Sequence, residues 1–171
     1  MKFNKSYIFC SEKLISQLDE VKEIFKVISR IDWCPGELEA VSGKNKTIYH
    51  QEAYNRLFEI EFARIGGWDP QPVLLHDPKL KGDFIKNQVF VEIQFGNSAT
   101  LFRDYYKFHM GLVKKLLSLA VLITPTNPSL FFPKRNKNSI GNMANYDYAL
   151  KHFMELTIPV PILLIGLLPE N

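Results

Sequence analysis

Cysteine and histidine are too few and too scattered in this sequence to organise a site. Cys10 and Cys34 are its two cysteines, and neither they nor the four histidines fall at metal-binding spacing. The sequence contains no defensible Ser/His/Asp or Cys/His arrangement and no glycine-rich loop suited to a nucleotide phosphate. These absences argue against a disulfide framework, a zinc site and the common nucleophile-based hydrolases. Two scattered thiols are typical of a protein in a reducing cytosol.

Long apolar runs are also missing. The first five residues lack the apolar core of a signal peptide, and the longest apolar run, Val160 to Leu168, is far too short to span a bilayer. We therefore expect a cytoplasmic protein with no membrane partner. The pair Gly66-Gly67 is best explained as a helix stop.

The composition that is present predicts one folded domain. Hydrophobic residues make up 46% of the chain and aromatic residues 13%, which argues against disorder. At 171 residues we expect a single domain over 1–171, with an N-terminal helical part at about 1–45 and a core at about 46–171. The formal net charge of +3 permits nucleic-acid binding without establishing it.

Hydrophobic spacing predicts alternating helices and strands. The predicted helices cover residues 11–31, 47–65, 98–117 and 143–156, and the predicted strands are a hairpin within 83–94, a strand from 116 or 119 to 124, and a strand at 160–168. Residues 33–46 are a connector, and residues 126–142 form a polar loop rich in Asn, Lys and Pro. A hairpin that leads into helix-separated strands predicts an α/β fold, with a three-layer α/β/α core around a mixed sheet.

The most informative segment, residues 83–94, predicts a hairpin with acidic side chains on one face. If residues 86–87 form a two-residue turn, Asp83 lies opposite Phe90. Because strand side chains alternate, Asp83, Glu92 and Gln94 then share a face. The two acids become diagonal neighbours with Cβ atoms roughly 7 Å apart. That separation suits one Mg²⁺ completed by water and substrate phosphate, whereas a three-residue loop would separate the acids.

Two alternatives for these acids stay open. Glu92 lies in the apolar run from Val89 to Phe95, where a carboxylate is costly unless it is paired or bound to metal. Pairing with a buried Arg or Lys is therefore the alternative to a metal site. Asp77 is a second candidate for the first acid, but it precedes a proline in a turn-like stretch farther from Glu92 along the chain. This position favours Asp83.

The pattern Asp-x8-Glu-x-Gln, within Val-Glu-Ile-Gln-Phe-Gly-Asn, resembles the active-site strand of BglII/BstYI-type restriction endonucleases, which belong to the PD-(D/E)XK superfamily. Most of that superfamily carries Lys where this chain has Gln94, whereas the BglII-type branch carries Gln. The resemblance continues through residues 66–68, 145–149 and 160–166, and covers about residues 45–168. It implies a restriction-endonuclease-like version of the three-layer fold.

This resemblance implies a type II restriction endonuclease that hydrolyses double-stranded DNA at a short palindromic site. It would be a Mg²⁺-dependent homodimer that leaves a 5′-phosphate and a 3′-hydroxyl. A target centred on GATC fits this branch, and a cognate DNA methyltransferase is expected as a partner. A repair or junction nuclease of the same fold stays an alternative, and so does a non-catalytic DNA-binding protein whose acids serve structure.

Catalytic roles are predicted for a few residues. Asp83 and Glu92 would bind the metal, with the Ile93 carbonyl as a third ligand implied by the resemblance. Gln94 does not titrate near neutral pH, so it would orient the attacking water and leave deprotonation to the metal-bound water or a substrate phosphate. Glu61 lies in the inward stripe of the second helix, where many superfamily members place an acid near the metal. The alternative for Glu61 is a surface side chain whose stem packs on apolar neighbours.

Residues that contact DNA are predicted after the strand and in the polar loop. Asn97 matches a base-contacting position of the BglII-type enzymes, and Ser98 opens a helix whose N-terminus suits a phosphate. Each is alternatively a simple N-cap. Four basic residues of that helix are candidate phosphate contacts, with a solvated helix face as the alternative for each: Arg103, Lys107, Lys114 and Lys115. The loop combines charge, amides and a hydroxyl, as a segment that probes a groove does, in Lys134, Arg135, Lys137, Asn138 and Ser139. A merely solvated loop is its alternative.

Overall fold

A mixed six-stranded sheet forms the centre of the protein. The computed structural model describes residues 1–34, 50–77, 79–155 and 159–169. The strands are β1 (Phe3–Ile8), β2 (Asp69–Pro70), β3 (Val73–Leu75), β4 (Leu80–Lys81), β5 (Phe84–Lys86), β6 (Val89–Ile93), β7 (Leu119–Pro125) and β8 (Ile162–Leu167). The large sheet has the order β1-β8-β7-β6-β5-β2, and β3 and β4 form a separate pair.

Helices cover both faces of this sheet. They are α1 (Glu12–Ile15), α2 (Asp19–Arg30), α3 (His50–Ile65), α4 (Thr100–Val113), α5 (Pro128–Phe131), α6 (Lys137–Ile140) and α7 (Tyr146–Met154). Buried side chains of α2 and α3 share one hydrophobic core with the sheet, and those of α4 and α7 share the other. The predicted three-layer α/β/α architecture with a mixed sheet is therefore confirmed.

The three central strands, β6, β7 and β8, are parallel to each other. Every residue of β7 and β8 is buried, because helices pack against both faces. Alternate side chains enter opposite cores: Val121 packs on the α2/α3 side and Leu122 on the α4/α7 side. This continuous apolar pattern explains why the strands at 119–124 and 160–168 could be predicted from sequence.

The N-terminal segment departs from the helical prediction. Residues Phe3–Ile8 form β1, which pairs antiparallel with β8 at the edge of the main sheet. The predicted helix at 11–31 is divided into α1 and α2, and the Ser11 side chain makes no capping hydrogen bond. Only Ile8 of β1 is buried, so this edge strand lacks an apolar signal in the sequence. Most of the predicted connector at 33–46 lies outside the described residues.

The hairpin exists, but its turn lies one residue later than predicted. Phe84 pairs with Val91 and Ile85 with Phe90, so the turn is Asn87-Gln88 and Phe90 does not face Asp83. Both turn residues have positive φ, 46° and 66°, as a type I′ turn requires. Because the loop still contains two residues, the side chains that were predicted to share a face of the hairpin still share it. Continuing the register by one residue brings Asp83 directly beside Glu92 rather than diagonal to it.

The polar loop predicted at 126–142 has more structure than its composition suggests. It contains the short helices α5 and α6, and the adjacent rings of Phe131 and Phe132 are buried. Both rings pack against Phe95 and Tyr54, with centroid distances between 5.1 and 6.0 Å. The loop is thereby anchored beside the end of β6. Among the described residues, no helix is long and apolar enough to cross a membrane.

Gly166 in β8 provides a test of this packing. A Cβ atom at this position would lie 2.6 Å from Tyr146 and 2.7 Å from Thr126. Gly166→Ala should therefore lower the free energy of unfolding by about 1–3 kcal/mol through overpacking. The matched control, Gly141→Ala, meets only ordinary contact at 3.7 Å and should stay within about 0.5 kcal/mol of wild type. Urea unfolding measures both, and equal effects would contradict the described packing of β8.

Candidate active site

The hairpin brings two carboxylates together at the open end of β5 and β6. Asp83 directly precedes β5, and its Oδ2 accepts a 2.7 Å hydrogen bond from the Ile93 backbone N–H. Glu92, in β6, is only 3% exposed. A backbone hydrogen bond thus fixes Asp83 against the strand that carries Glu92. The structure brings Asp83, Glu92 and Ile93, the three predicted metal ligands, into one group.

One oxygen of Glu92 is paired and the other is not. Its Oε2 accepts a 2.7 Å hydrogen bond from Lys107 Nζ on α4. Its Oε1 is buried with no hydrogen-bond partner among the described residues. The chain opposite is Gly82, where a Cβ would lie 3.1 Å from Oε1 and 2.1 Å from the Phe90 ring. Any side chain at position 82 would therefore collide with the Phe90 ring and crowd the unpaired oxygen, so this position requires glycine.

A buried cation does pair with Glu92, as the alternative interpretation of this strand expected. Lys107 is 6% exposed, and its Nζ also lies 3.1 Å from Asp104 Oδ1. Asp104 in turn accepts a hydrogen bond from Gln94 Nε2. Lys107 thus faces three carboxylates, Asp83, Glu92 and Asp104, and offsets only part of their charge. The Lys107–Glu92 ion pair is therefore present together with the Asp83–Glu92 carboxylate pair, and it does not rule out a metal site there.

Burial shifts the pKa values of both acids upward. Loss of water raises the pKa of Asp83, and the Ile93 hydrogen bond opposes this shift only in part. Burial and the neighbouring Asp83 raise the pKa of Glu92 well above its usual value. Burial lowers the pKa of Lys107, but Glu92 and Asp104 raise it by more, so the net direction is upward. A pair of acids that resists ionisation is a site prepared for an additional cation.

Two cavities meet at Asp83. The larger, of about 630 Å³, opens toward α3 and is lined by Asn55, Glu59 and Ile93 among others. The smaller, of about 450 Å³, opens toward α4 and is strongly basic, with Lys79, Lys81, Arg103 and Lys107 in its lining. Asp83 lines both cavities. The carboxylates therefore lie where a polyanion could approach along positively charged walls.

Glu61 does not belong to this group, which corrects its predicted place in the active site. Its carboxylate lies 2.6 Å from Arg64 and 3.7 Å from Arg30, and it is 7% exposed. Residues two positions apart on a helix point about 200° apart. Accordingly Glu59, and not Glu61, is the α3 acid that lines the cavity beside Asp83. The arginines explain why an acid lies in the inward stripe of this helix.

Gln94 uses both ends of its side-chain amide. Its Oε1 accepts a 2.8 Å hydrogen bond from the Gly96 N–H, while its Nε2 donates to Asp104. An amide nitrogen carries two hydrogens, so one N–H remains for a water molecule. Gln94 therefore connects the Glu92 strand to the turn that follows it and to α4.

The segment after β6 is joined to the polar loop. Asn97 forms an isolated antiparallel bridge with Met143, and the Ser98 N–H donates to Asn142 O at 2.7 Å. The Asn97 side chain accepts from the Ala99 N–H and stays exposed. An N-cap Asn makes this kind of hydrogen bond, so the N-cap alternative for Asn97 stays open. The segment of Asn97 and Ser98 is thus joined to the end of the polar loop.

Residues of the loop differ in their freedom. Arg135 donates to Gln51 on α3 at 3.3 Å and to Ser139 at 3.2 Å, and its guanidinium lies over the Phe132 ring. Lys134, Lys137 and Asn138 are exposed, and Arg103 lines the basic cavity. Arg135 therefore attaches the loop to α3, while the exposed residues face solvent.

The donor set fits one hard divalent cation. Glu92 Oε1 is an orphaned buried carboxylate oxygen, and Asp83 lies beside it. Among the described residues, no group of three or more His, Cys, Asp and Glu side chains is arranged to hold a metal. A cation here would rest on two carboxylates, backbone carbonyl oxygen, water and substrate oxygen, which is the sparse coordination that Mg²⁺ accepts.

Several residues of this site escaped the sequence-based prediction. Asp104 follows the buried spacing of Leu101, Phe108 and Gly111 on α4, and so does Lys107, which was predicted only as a phosphate contact. Charged residues on an inward helix face were the available signal for both. Asn55 has a buried Oδ1 without a hydrogen-bond partner among the described residues and lines the larger cavity. No sequence pattern identifies Asn55 or Glu59, because only the packing of α3 turns them toward the hairpin.

The raised pKa of Asp83 predicts a stability cost above the acid range. The folded protein holds the Asp83 proton more tightly than the unfolded chain, so stability falls as pH rises from about 4, the usual carboxyl value, through the folded pKa. Asp83→Asn keeps an acceptor for the Ile93 N–H and removes this charge. We expect a higher unfolding free energy than wild type at neutral pH, and no gain below about pH 4.

Urea titrations at the two pH values measure this difference, with the exposed Asp32→Asn as the control. A variant that is less stable than wild type at neutral pH would show that Asp83 stabilises the fold and is not held there at a cost.

Comparisons with known proteins agree with this geometry. A sequence profile of the family "Restriction endonuclease BglII/BglIII" matches residues 5–167. No curated protein sequence matches the chain. The crystal structure of BglII complexed with a DNA 16-mer aligns with a TM-score of 0.74 and 19% identity, over 99% of this chain and 79% of that one. Free BglII aligns with a TM-score of 0.66 and 22% identity, over 99% and 81%.

At these identities the structural likeness shows the fold, and the profile match over nearly the whole chain shows the family. The resemblance that residues 83–94 carry is thereby confirmed. The chain belongs to the BglII/BglIII family of restriction endonucleases.

Proposed function

We propose that the protein is a Mg²⁺-dependent type II endonuclease that cuts both strands of a short palindromic duplex at the Asp83–Glu92 site. One observation carries the proposal. The two acids are adjacent, one Glu92 oxygen is buried and unpaired, and basic groups line the cavity beside them. Burying two acids beside each other with only part of their charge compensated is costly to the fold. Such a cost is expected at a site selected to bind a cation and a phosphate.

The residues of the site have separate tasks. Asp83, Glu92 and the Ile93 carbonyl would hold the cation, which when bound would supply polarisation of the phosphate and a lower pKa for a bound water. The remaining N–H of Gln94 orients the attacking water. Lysine and arginine side chains of the basic cavity attract the DNA backbone. The products are a 5′-phosphate and a 3′-hydroxyl.

Cutting a palindrome requires two such sites, which we assign to a two-fold homodimer. The outer face of α4 supports this assignment, since Phe102, Tyr106 and Val113 are 53%, 48% and 62% exposed at helical spacing. Met154 of α7, which is 63% exposed, belongs to the same outer layer. Exposed apolar side chains in one layer are typical of a surface that pairs with another copy.

The DNA partner is proposed from the family and from the segments beside the site. BglII has been crystallised with a DNA 16-mer. In this chain, Asn97 and Ser98 are joined to Met143 and Asn142, at the end of the polar loop that carries residues 134–139. We propose that both segments present amides, hydroxyls and cations to a groove. We propose a target related to the GATC-centred sites of this branch. A cognate DNA methyltransferase would protect the host genome from cleavage.

Cleavage assays with Glu92→Gln test the proposed chemistry. The substitution keeps the shape and removes the charge that holds the cation, so cleavage of unmethylated plasmid DNA should fall by more than the roughly 10–100-fold cost of losing an outer-shell metal partner. Wild-type protein should give discrete fragments with Mg²⁺ and none with EDTA. The control, Glu155→Gln, changes an exposed acid at the end of α7 and should cut normally. Intact plasmid under every condition would refute the proposal.

Two variants separate base reading from backbone attraction. Lys137→Ala should weaken binding to all duplexes alike and reduce the slope of log affinity against log salt by about 1, because an exposed lysine contacts phosphate. Asn97→Ala should lower affinity for the cleaved sequence by about 1–3 kcal/mol and leave non-specific binding unchanged. Fluorescence anisotropy in Ca²⁺ measures both variants. Equal losses on specific and random duplexes for Asn97→Ala would remove it from base reading.

A further inference from the structure

The strand position that carries lysine in most of the superfamily carries Gln94 here, and Gln94 is engaged elsewhere. Its amide binds Asp104 and the Gly96 N–H. Because an amide is neutral, Gln94 brings no positive charge to Glu92. An amine nevertheless reaches Glu92, from a different element. Lys107 projects from α4 and places Nζ 2.7 Å from Glu92 Oε2.

We propose that Lys107 is the positioning residue of the active site. It supplies from α4 the amine that position 94, directly after β6, does not supply. Lys107 holds Glu92 by its Oε2 and leaves Oε1 without a hydrogen-bond partner among the described residues, on the side of Gly82 and Asp83. The inference rests on the function proposed above and adds a residue to it.

The contacts of Lys107 make this role specific. Its side chain is 7% exposed, and the side chains of Glu92 and Asp104 are 5% and 1% exposed, so the three charges are shielded from solvent. Asp104 lies three residues before Lys107 on the same helix face, and it also accepts from Gln94. Gln94 and Lys107 therefore contact the same acid, Asp104. A lysine at position 94 would share the same carboxylate neighbours.

Lys107 also borders the space where a substrate would lie. It lines the basic cavity together with Asp83, Lys81 and Arg103. An ammonium group has three donors. Lys107 donates one of them to Glu92, and Asp104 Oδ1 lies 3.1 Å away as an ion-pair partner. The donors that these carboxylates do not engage are available to an oxygen in that cavity. A lysine that served packing alone would not need to border a cavity shared with the Asp83 carboxylate.

An exchange of the two side chains tests the proposal. Lys107→Gln should reduce the plasmid cleavage rate in Mg²⁺ by about 10–100-fold, the usual cost of losing a partner of a metal ligand. The double variant Lys107→Gln/Gln94→Lys returns an amine to the same acids from β6 and should recover most of that loss. Lys107→Arg keeps the charge and should lie between the two. The control is Lys26→Met, which removes an exposed charge from α2 and should cut normally.

A second readout does not depend on cleavage. In EDTA, binding of a fluorescent duplex should be weaker for Lys107→Gln than for Lys26→Met, because three buried acids then face the phosphates uncompensated. The double variant should restore this affinity. If Lys107→Gln does not fold, which thermal unfolding reveals, the double variant and Lys107→Arg decide the matter, since both retain a cation among the acids.

The outcomes separate this inference from the function on which it rests. A wild-type protein that cuts no DNA contradicts the proposed function, and the EDTA binding comparison still decides the role of Lys107. The inference is overturned if Lys107→Gln folds and then cuts and binds as wild type. It is equally overturned if the double variant fails to fold, or folds without recovering cleavage or binding.

Discussion

The burial of negative charge at the end of a sheet is the constraint on which the site depends. Asp83 and Glu92 lie side by side in a region where water is scarce, so both acids resist ionisation. The fold compensates them in part, with one backbone N–H and one lysine. It leaves one carboxylate oxygen unpaired beside a glycine. We propose that this incomplete balance attracts a cation and then a phosphate.

The three layers supply different parts of this arrangement. Parallel pairing with β7 keeps β6 in the buried centre of the sheet, so Glu92 lies away from solvent. Helix α4, on one face, contributes Lys107 and Asp104, while α3, on the other, contributes Asn55 and Glu59 to the larger cavity. The polar loop that follows β7 is anchored by Phe131 and returns to the turn after β6. Recognition and chemistry are therefore positioned by the same packed core.

Particular residues show how far sequence reasoning reaches. The alternation of the 83–94 segment was enough to place Asp83 and Glu92 on one face, even though the turn was predicted one residue early, because parity depends only on the number of turn residues. Glu61 misled the prediction because an acid in an apolar stripe looks the same whether it serves a metal or two arginines. Here Arg30 and Arg64 bind it. Strand β1 was missed because an edge strand with one buried residue carries little hydrophobic pattern.

The sequence by itself determined the class of fold, the pair of acids and the family, because these depend on local periodicity and on spacing within one hairpin. Tertiary structure decided which cation accompanies Glu92, which acid of α3 faces the cavity, and that Asn97 bridges to Met143 at the end of the polar loop. Each of these facts joins residues from separate elements. Helix orientation and packing set such contacts, and periodicity along one element shows which face is buried without showing what that face meets.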